Sequence, residues 1–140
     1  MSTAYTVANF GRYTPVREKQ FDINLICSFT TLSLIANDTW KFCFIPAFAT
    51  ICSLGVIFPD MDTNVSPVVT FDLGDTGSAT RFLSGNTTAQ NGGSVIATGI
   101  PYRYTADDQL ILKLHTAPAP SDAVNGTIYV AVGFVLDGVV

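Results

Sequence analysis

The chain has 140 residues, of which 48% are hydrophobic and only 13% charged, with a net charge of −4. An ordinary soluble domain carries about 25% charged residues, so much of this surface is expected to be covered, by sister subunits or by a larger assembly. The acidic balance argues against a general nucleic-acid binder, which needs a basic face, and the length fits one domain able to bury a core without staples.

The first twenty residues differ from the rest. Residues 1–20 hold Arg12, Arg17 and Lys19 against Glu18, a net +2, while residues 21–140 hold four bases and ten acids, a net −6. Met1 to Gln20 shows no sustained period and contains Gly11 and Pro15, so an extended arm is expected over 1–20 and a single domain over 21–140. A basic arm ahead of an acidic body can dock on an acidic partner surface, including the next copy of the same chain. Arg12, Tyr13, Arg17 and Lys19 are therefore the candidate partner-binding residues.

From Phe21 the pattern becomes period two, the alternation of a half-buried strand. Leu25, Cys27 and Phe29 share one face and Ile26, Ser28 and Thr30 the other, and Ala36-Asn37-Asp38-Thr39 is a turn signal. Trp40, Phe42 and Phe44 are expected on one face of the next strand, opposite Lys41, Cys43 and Ile45. Phe42 to Phe58 is almost continuously apolar, but it is too short for a membrane span of ~20 residues and Pro46 interrupts it. Two strands joined at Ile45-Pro46-Ala47 are expected there. In the second, over Thr50 to Phe58, Ile51, Ser53, Gly55 and Ile57 alternate with Cys52, Leu54, Val56 and Phe58.

Pro59 to Asn64 is a loop, Val68 to Leu73 a strand, and Gly74 to Ser78 a tight turn. A short strand is expected over Thr80 to Leu83, then a long polar loop over Ser84 to Ser94. Tyr102 and Tyr104 alternate with Arg103 and Thr105. Leu110, Leu112 and Leu114 alternate with Ile111, Lys113 and His115, and Ile128, Val130, Val132 and Phe134 with Tyr129, Ala131, Gly133 and Val135. Helical spacing is absent. About eight strands separated by turn signals predict an all-β, jelly-roll-like β-sandwich behind an extended N-terminal arm.

Candidate chemistry is sparse. His115 is the one histidine, and a lone strand histidine is far more often a surface residue than a catalyst. A GxSxG elbow and a glycine-rich phosphate loop are both missing. Cys27, Cys43 and Cys52 show no CxxC spacing, so they are expected to be buried free thiols in a reducing compartment. Asp60, Asp62, Asp72 and Asp75 could gather into a calcium site, but acids capping turns is the better expectation. Tyr102-Arg103-Tyr104 could stack bases, yet as a single instance it is expected to be strand packing, and Trp40 to be core. Catalytic residues, cofactor-binding residues and metal ligands are all expected to be none.

Three stretches carry a resemblance when taken together: Phe58-Pro-Asp-Met-Asp-Thr63 leading into Val68-Val-Thr-Phe-Asp-Leu-Gly-Asp75; Thr80-Arg-Phe-Leu-Ser-Gly85 with Thr88-Ala-Gln-Asn-Gly-Gly93; and Gly99-Ile-Pro-Tyr-Arg-Tyr-Thr-Ala-Asp-Asp108 with the closing strand Gly126-Thr-Ile-Tyr-Val-Ala-Val132. Their order and spacing, from about Trp40 to Val135, resemble the capsid decoration (cement) proteins of tailed bacteriophages. The resemblance implies a β-sandwich, often a homotrimer, that sits on the outside of the head and bridges capsomers of the major capsid protein. It implies no enzyme activity. From the residues, no cofactor is expected, and neither nucleic acid nor membrane as partner. The chain would be made in the host cytoplasm and end in the virion. The alternatives are a tail or fibre subunit of the same virion and a carbohydrate-binding β-sandwich.

Overall fold

The computed structural model describes residues 21–136. The expected arm, with Arg12, Tyr13, Arg17 and Lys19, lies outside the described residues. Strands are β1 (Phe21–Thr30), β2 (Thr39–Ile45), β3 (Ala49–Phe58), β4 (Thr70–Gly74), β5 (Leu83–Asn86), β6 (Gly93–Ile96), β7 (Tyr102–Arg103), β8 (Asp108–Thr116) and β9 (Thr127–Leu136), with one short 3-10 turn at Thr88–Gln90.

They form two antiparallel sheets. One has the order β1-β9-β3-β6, with the short β7 added to β3, and the other the order β2-β8-β4-β5. The pairs β1–β9, β2–β8, β3–β6 and β4–β5 nest like one long hairpin rolled onto itself. That is the jelly-roll winding, and it matches the expected fold class.

The core lies between the sheets. Ile128, Val130, Val132 and Phe134 of β9 face Leu110, Leu112 and Leu114 of β8, all buried. Each such side chain contributes about 1.5–3 kcal/mol on leaving water. A relay of rings joins the two layers: Phe29 to Trp40 at 5.9 Å, Trp40 to Phe71 at 6.2 Å, and Phe71 to Phe58 at 4.9 Å between centroids. Trp40 belongs to this relay but is only half-buried.

Four expectations need correction. Trp40, Phe42 and Phe44 do not share one face. The register shifts between Lys41 and Cys43, so Phe42 is an extra residue on the bulged strand. Beyond the bulge Cys43 and Ile45 point inward and Phe44 is left exposed. A second shift, between Ile51 and Ser53, does the same in β3. Ile51 therefore joins Leu54, Val56 and Phe58 in the core, and Cys52 is exposed rather than buried. The strand expected over Thr80–Leu83 is instead β5, over Leu83–Asn86. Most of the loop expected over Ser84–Ser94 is ordered: it contributes β5, the 3-10 turn and the start of β6. Both are four-residue strands, too short and too polar to show a hydrophobic period.

Candidate interaction surface

The outer face of the five-stranded sheet is the feature that stands apart. Because side chains alternate along a strand, the inward run of β9 leaves Tyr129 and Ala131 pointing outward. Cross-strand register then sets two rows side by side. One runs Ile26, Ala131, Gly55, Ile96 and the other Ser28, Tyr129, Ile57, Ser94. Ala131 and Gly55 are small, so the middle of the first row sinks between Ile26 and Ile96. The result is a depression of about 480 Å³ whose lining includes Ile57 and Tyr129 and contains no charged residue.

Its rim is costly in water. Ile26 and Ile96 are each 78% exposed, Ile57 54% and Tyr129 46%. Scattered exposed apolar residues are ordinary, whereas a contiguous uncharged cluster marks a surface that another surface covers. The opposite outer face carries charge: Thr39, Lys113 and Asp72 lie in register across β2, β8 and β4, and His115 follows on β8.

His115 rests on that polar face, its Nδ1 3.0 Å from Asp72 Oδ2, with more than half its side chain exposed. Asp72 is buried beneath it and its Oδ1 accepts the Gly85 N–H at 2.7 Å. The acids do not pool into a cation site. Asp60 accepts the Asp62 N–H, and Asp62 accepts the N–H groups of Asn64, Val68 and Val69. Burial pushes the Asp62 carboxyl up, but those three donors hold it below the usual carboxylate range.

Asp75 anchors one end of the sandwich. It accepts Arg81 Nε at 2.5 Å, the Tyr104 hydroxyl at 2.6 Å, and the Gly77 and Ser78 N–H groups at 2.9 Å each. Burial pushes its carboxyl up, yet Arg81, Tyr104 and Ser78 together hold it below the usual range. Burial first, then the Asp75 carboxylate, push the Tyr104 hydroxyl far above the ordinary tyrosine value, so it stays a donor. The Arg81 guanidinium also lies 4.2 Å over the Tyr102 ring. Tyr102 and Tyr104 are thus committed to packing, not to a stacking platform. A second depression, of about 230 Å³, holds Phe44 with Asp107 and Asp108. Its carboxylates serve as loop ties, Asp107 to Ala47 N–H and Asp108 to Thr76.

Sequence reasoning did not single out Ile26, Ile57, Ile96 or Tyr129. The signal was present as apolar residues on both faces of β1, β3 and β9, but only the register brings them together.

No family model matches the sequence, and no curated protein matches it. Solved structures do. A chain of the cyanophage Pam1 capsid asymmetric unit superposes with a TM-score of 0.76 at 25% identity, over 97% of this chain and 99% of that one. A chain of the capsid of Ralstonia phage GP4 gives 0.64 at 18% identity, covering 92% and 93%. A chain of the acid-stable capsid of Helicobacter pylori bacteriophage KHP30 gives 0.63 at 11%, covering 86% and 96%. The class is therefore an all-β jelly-roll sandwich of the kind found in phage capsid structures. On this chain the outer face of the five-stranded sheet carries the charge-free depression lined by Ile26, Ile57, Ile96 and Tyr129.

Proposed function

We propose that this chain is a structural component of a bacteriophage virion that decorates and cements the capsid. It sits on the outer surface of the shell and binds across capsomer boundaries of the major capsid protein. The observation that carries this reading is the apolar, charge-free face of Ile26, Ile57, Ile96 and Tyr129 on a fold whose solved neighbours are phage capsid chains. Buried surface resists forces that separate capsomers, and a patch serves that purpose where a catalytic cleft is not required.

The chain self-associates as a homotrimer, which the apolar face favours, since permanent subunit interfaces are more apolar than transient ones. Several copies held together add avidity on a repeating shell. The basic residues Arg12, Arg17 and Lys19, with Tyr13, reach the neighbouring subunit or the shell. The chain is made in the host cytoplasm and needs no cofactor.

The test is to add the purified protein to undecorated heads and count bound copies by electron microscopy. A fixed ratio of bound copies to capsid subunits is expected. Absence from heads together with binding to tails would replace the reading with a tail or fibre subunit. Deleting residues 1–20 is expected to weaken head binding while the body still folds, and unchanged binding would remove the arm from the account.

A further inference from the structure

Two thiols meet where the sandwich is open. β1 and β2 are the terminal strands of their respective sheets, and they face one another, as the rings of Phe29 and Phe42 show at 6.0 Å. Cys27 is an inward position of β1 opposite Val130, and Cys43 an inward position of β2 opposite Leu110. Cys43 turns inward only because the bulge at Phe42 shifts the alternation. Both thiols are free, and each packs into the core cluster. Burial, then the neighbouring Cys27 thiol, push the Cys43 thiol up to about 11, and its Sγ donates to the Phe44 carbonyl oxygen at 3.7 Å. The resting state is therefore a dithiol across two sheets, while Cys52 stands apart on the exposed bulge of β3.

We propose that Cys27 and Cys43 are a redox-controlled modification site, forming an intersheet disulfide that stitches the open side of the sandwich. Inward side chains of facing strands are the geometry in which a bond between sheets can form. With glutathione disulfide as oxidant the balance is complete. The Cys27 thiolate attacks one glutathione sulfur, forming a mixed disulfide and releasing one glutathione thiolate. The Cys43 thiolate then attacks the Cys27 sulfur, and the second glutathione leaves. Two protein thiols are oxidised, one disulfide of the oxidant is reduced, and the two protons end on two glutathione thiols. A thiol pair made in a reducing cytoplasm would close on release from the cell. Only that timing rests on the virion reading; the bond itself does not.

The experiment uses Cys52→Ser protein, which removes the exposed thiol, incubated with glutathione disulfide at mildly alkaline pH. Intact-mass measurement is expected to show the loss of two hydrogens, and digestion a linked pair of peptides containing Cys27 and Cys43. Closing a loop of this length is expected to raise Tm by about 10 °C, reversibly with dithiothreitol. Adding Cys27→Ser, or separately Cys43→Ala, should abolish both the mass loss and the shift. Glutathione adducts remaining on Cys27 or Cys43, disulfide-linked dimers, or two thiols left unreacted would each overturn the proposal. Head binding by the reduced protein tests the virion reading separately.

Discussion

Replacing Tyr104 by Phe removes one hydroxyl from the buried Asp75 anchor and leaves the ring in place. The Tyr104 hydroxyl donates to Asp75 Oδ2 at 2.6 Å, and Asp75 is only 3% exposed. A hydrogen bond to a charged acceptor contributes about 1.5–3 kcal/mol, so Tyr104→Phe is expected to cost about 2 kcal/mol. Asp75→Asn should cost more. It removes the charge facing Arg81 and turns an acceptor into a donor against Arg81 and Tyr104; breaking a buried pair costs about 3–5 kcal/mol, and the 25% exposure of Arg81 places this one near the lower end. Urea unfolding should show lower midpoints with unchanged slopes, and Tm should fall about 3 °C per kcal/mol. The acid limb adds an independent check. Asp75 is held below its unfolded value, so its contribution is complete above about pH 4 and is lost as pH falls through the lower folded value. Asp75→Asn should therefore lose less stability than the parent between neutral pH and acid. A Tyr104→Phe protein within 0.5 kcal/mol of the parent, or an Asp75→Asn protein with the parent's full acid limb, would refute the anchor.

Three further outcomes follow from packing and from the apolar face. A Cβ on Gly74 would lie 2.0 Å from the Ser78 carbonyl oxygen, so Gly74→Ala should open the turn and lower the urea midpoint more than Gly77→Ala, whose nearest atoms are a flexible arginine end and a carboxylate oxygen at 3.2 and 3.4 Å. Leu112→Ala, at a position with no exposure, should cost about 2–5 kcal/mol by thermal or urea unfolding. Ile57→Asp with Ile96→Asp should leave the monomer folded by circular dichroism and abolish association by light scattering, because both side chains are exposed and a carboxylate in an apolar interface is unpaired. Association unchanged by that pair would remove this face from the assembly.

Much of the sandwich is legible in the sequence alone. The inward runs Leu110-Leu112-Leu114 and Ile128-Val130-Val132-Phe134 are uninterrupted period two, and all are buried. The turn at Asn37 carries a residue that accepts a left-handed backbone, at a φ of 74°, and the turn ahead of Ser78 is held by the Asp75 carboxylate, which accepts the Gly77 and Ser78 N–H groups. The bulges at Phe42 and Cys52 were not legible. One inserted residue flips every later side chain to the other face, and a run apolar on both faces looks the same in either phase. β5 and β6 were hidden for another reason. Their backbone groups are satisfied by neighbours distant in sequence, β5 by β4 and by the Asp72 carboxylate, and β6 by β3.

By itself, the sequence determined an all-β chain with few charges to spread over its surface. Alternation and composition are local properties, and they survive without any partner strand. The tertiary structure alone decided which surface is apolar. Ile26, Ile57, Ile96 and Tyr129 come from four strands spread over more than a hundred residues, and they become one face because the first and last described strands pair and the third joins them. Register is a long-range property of the jelly-roll winding, so the patch exists only once the chain has closed on itself.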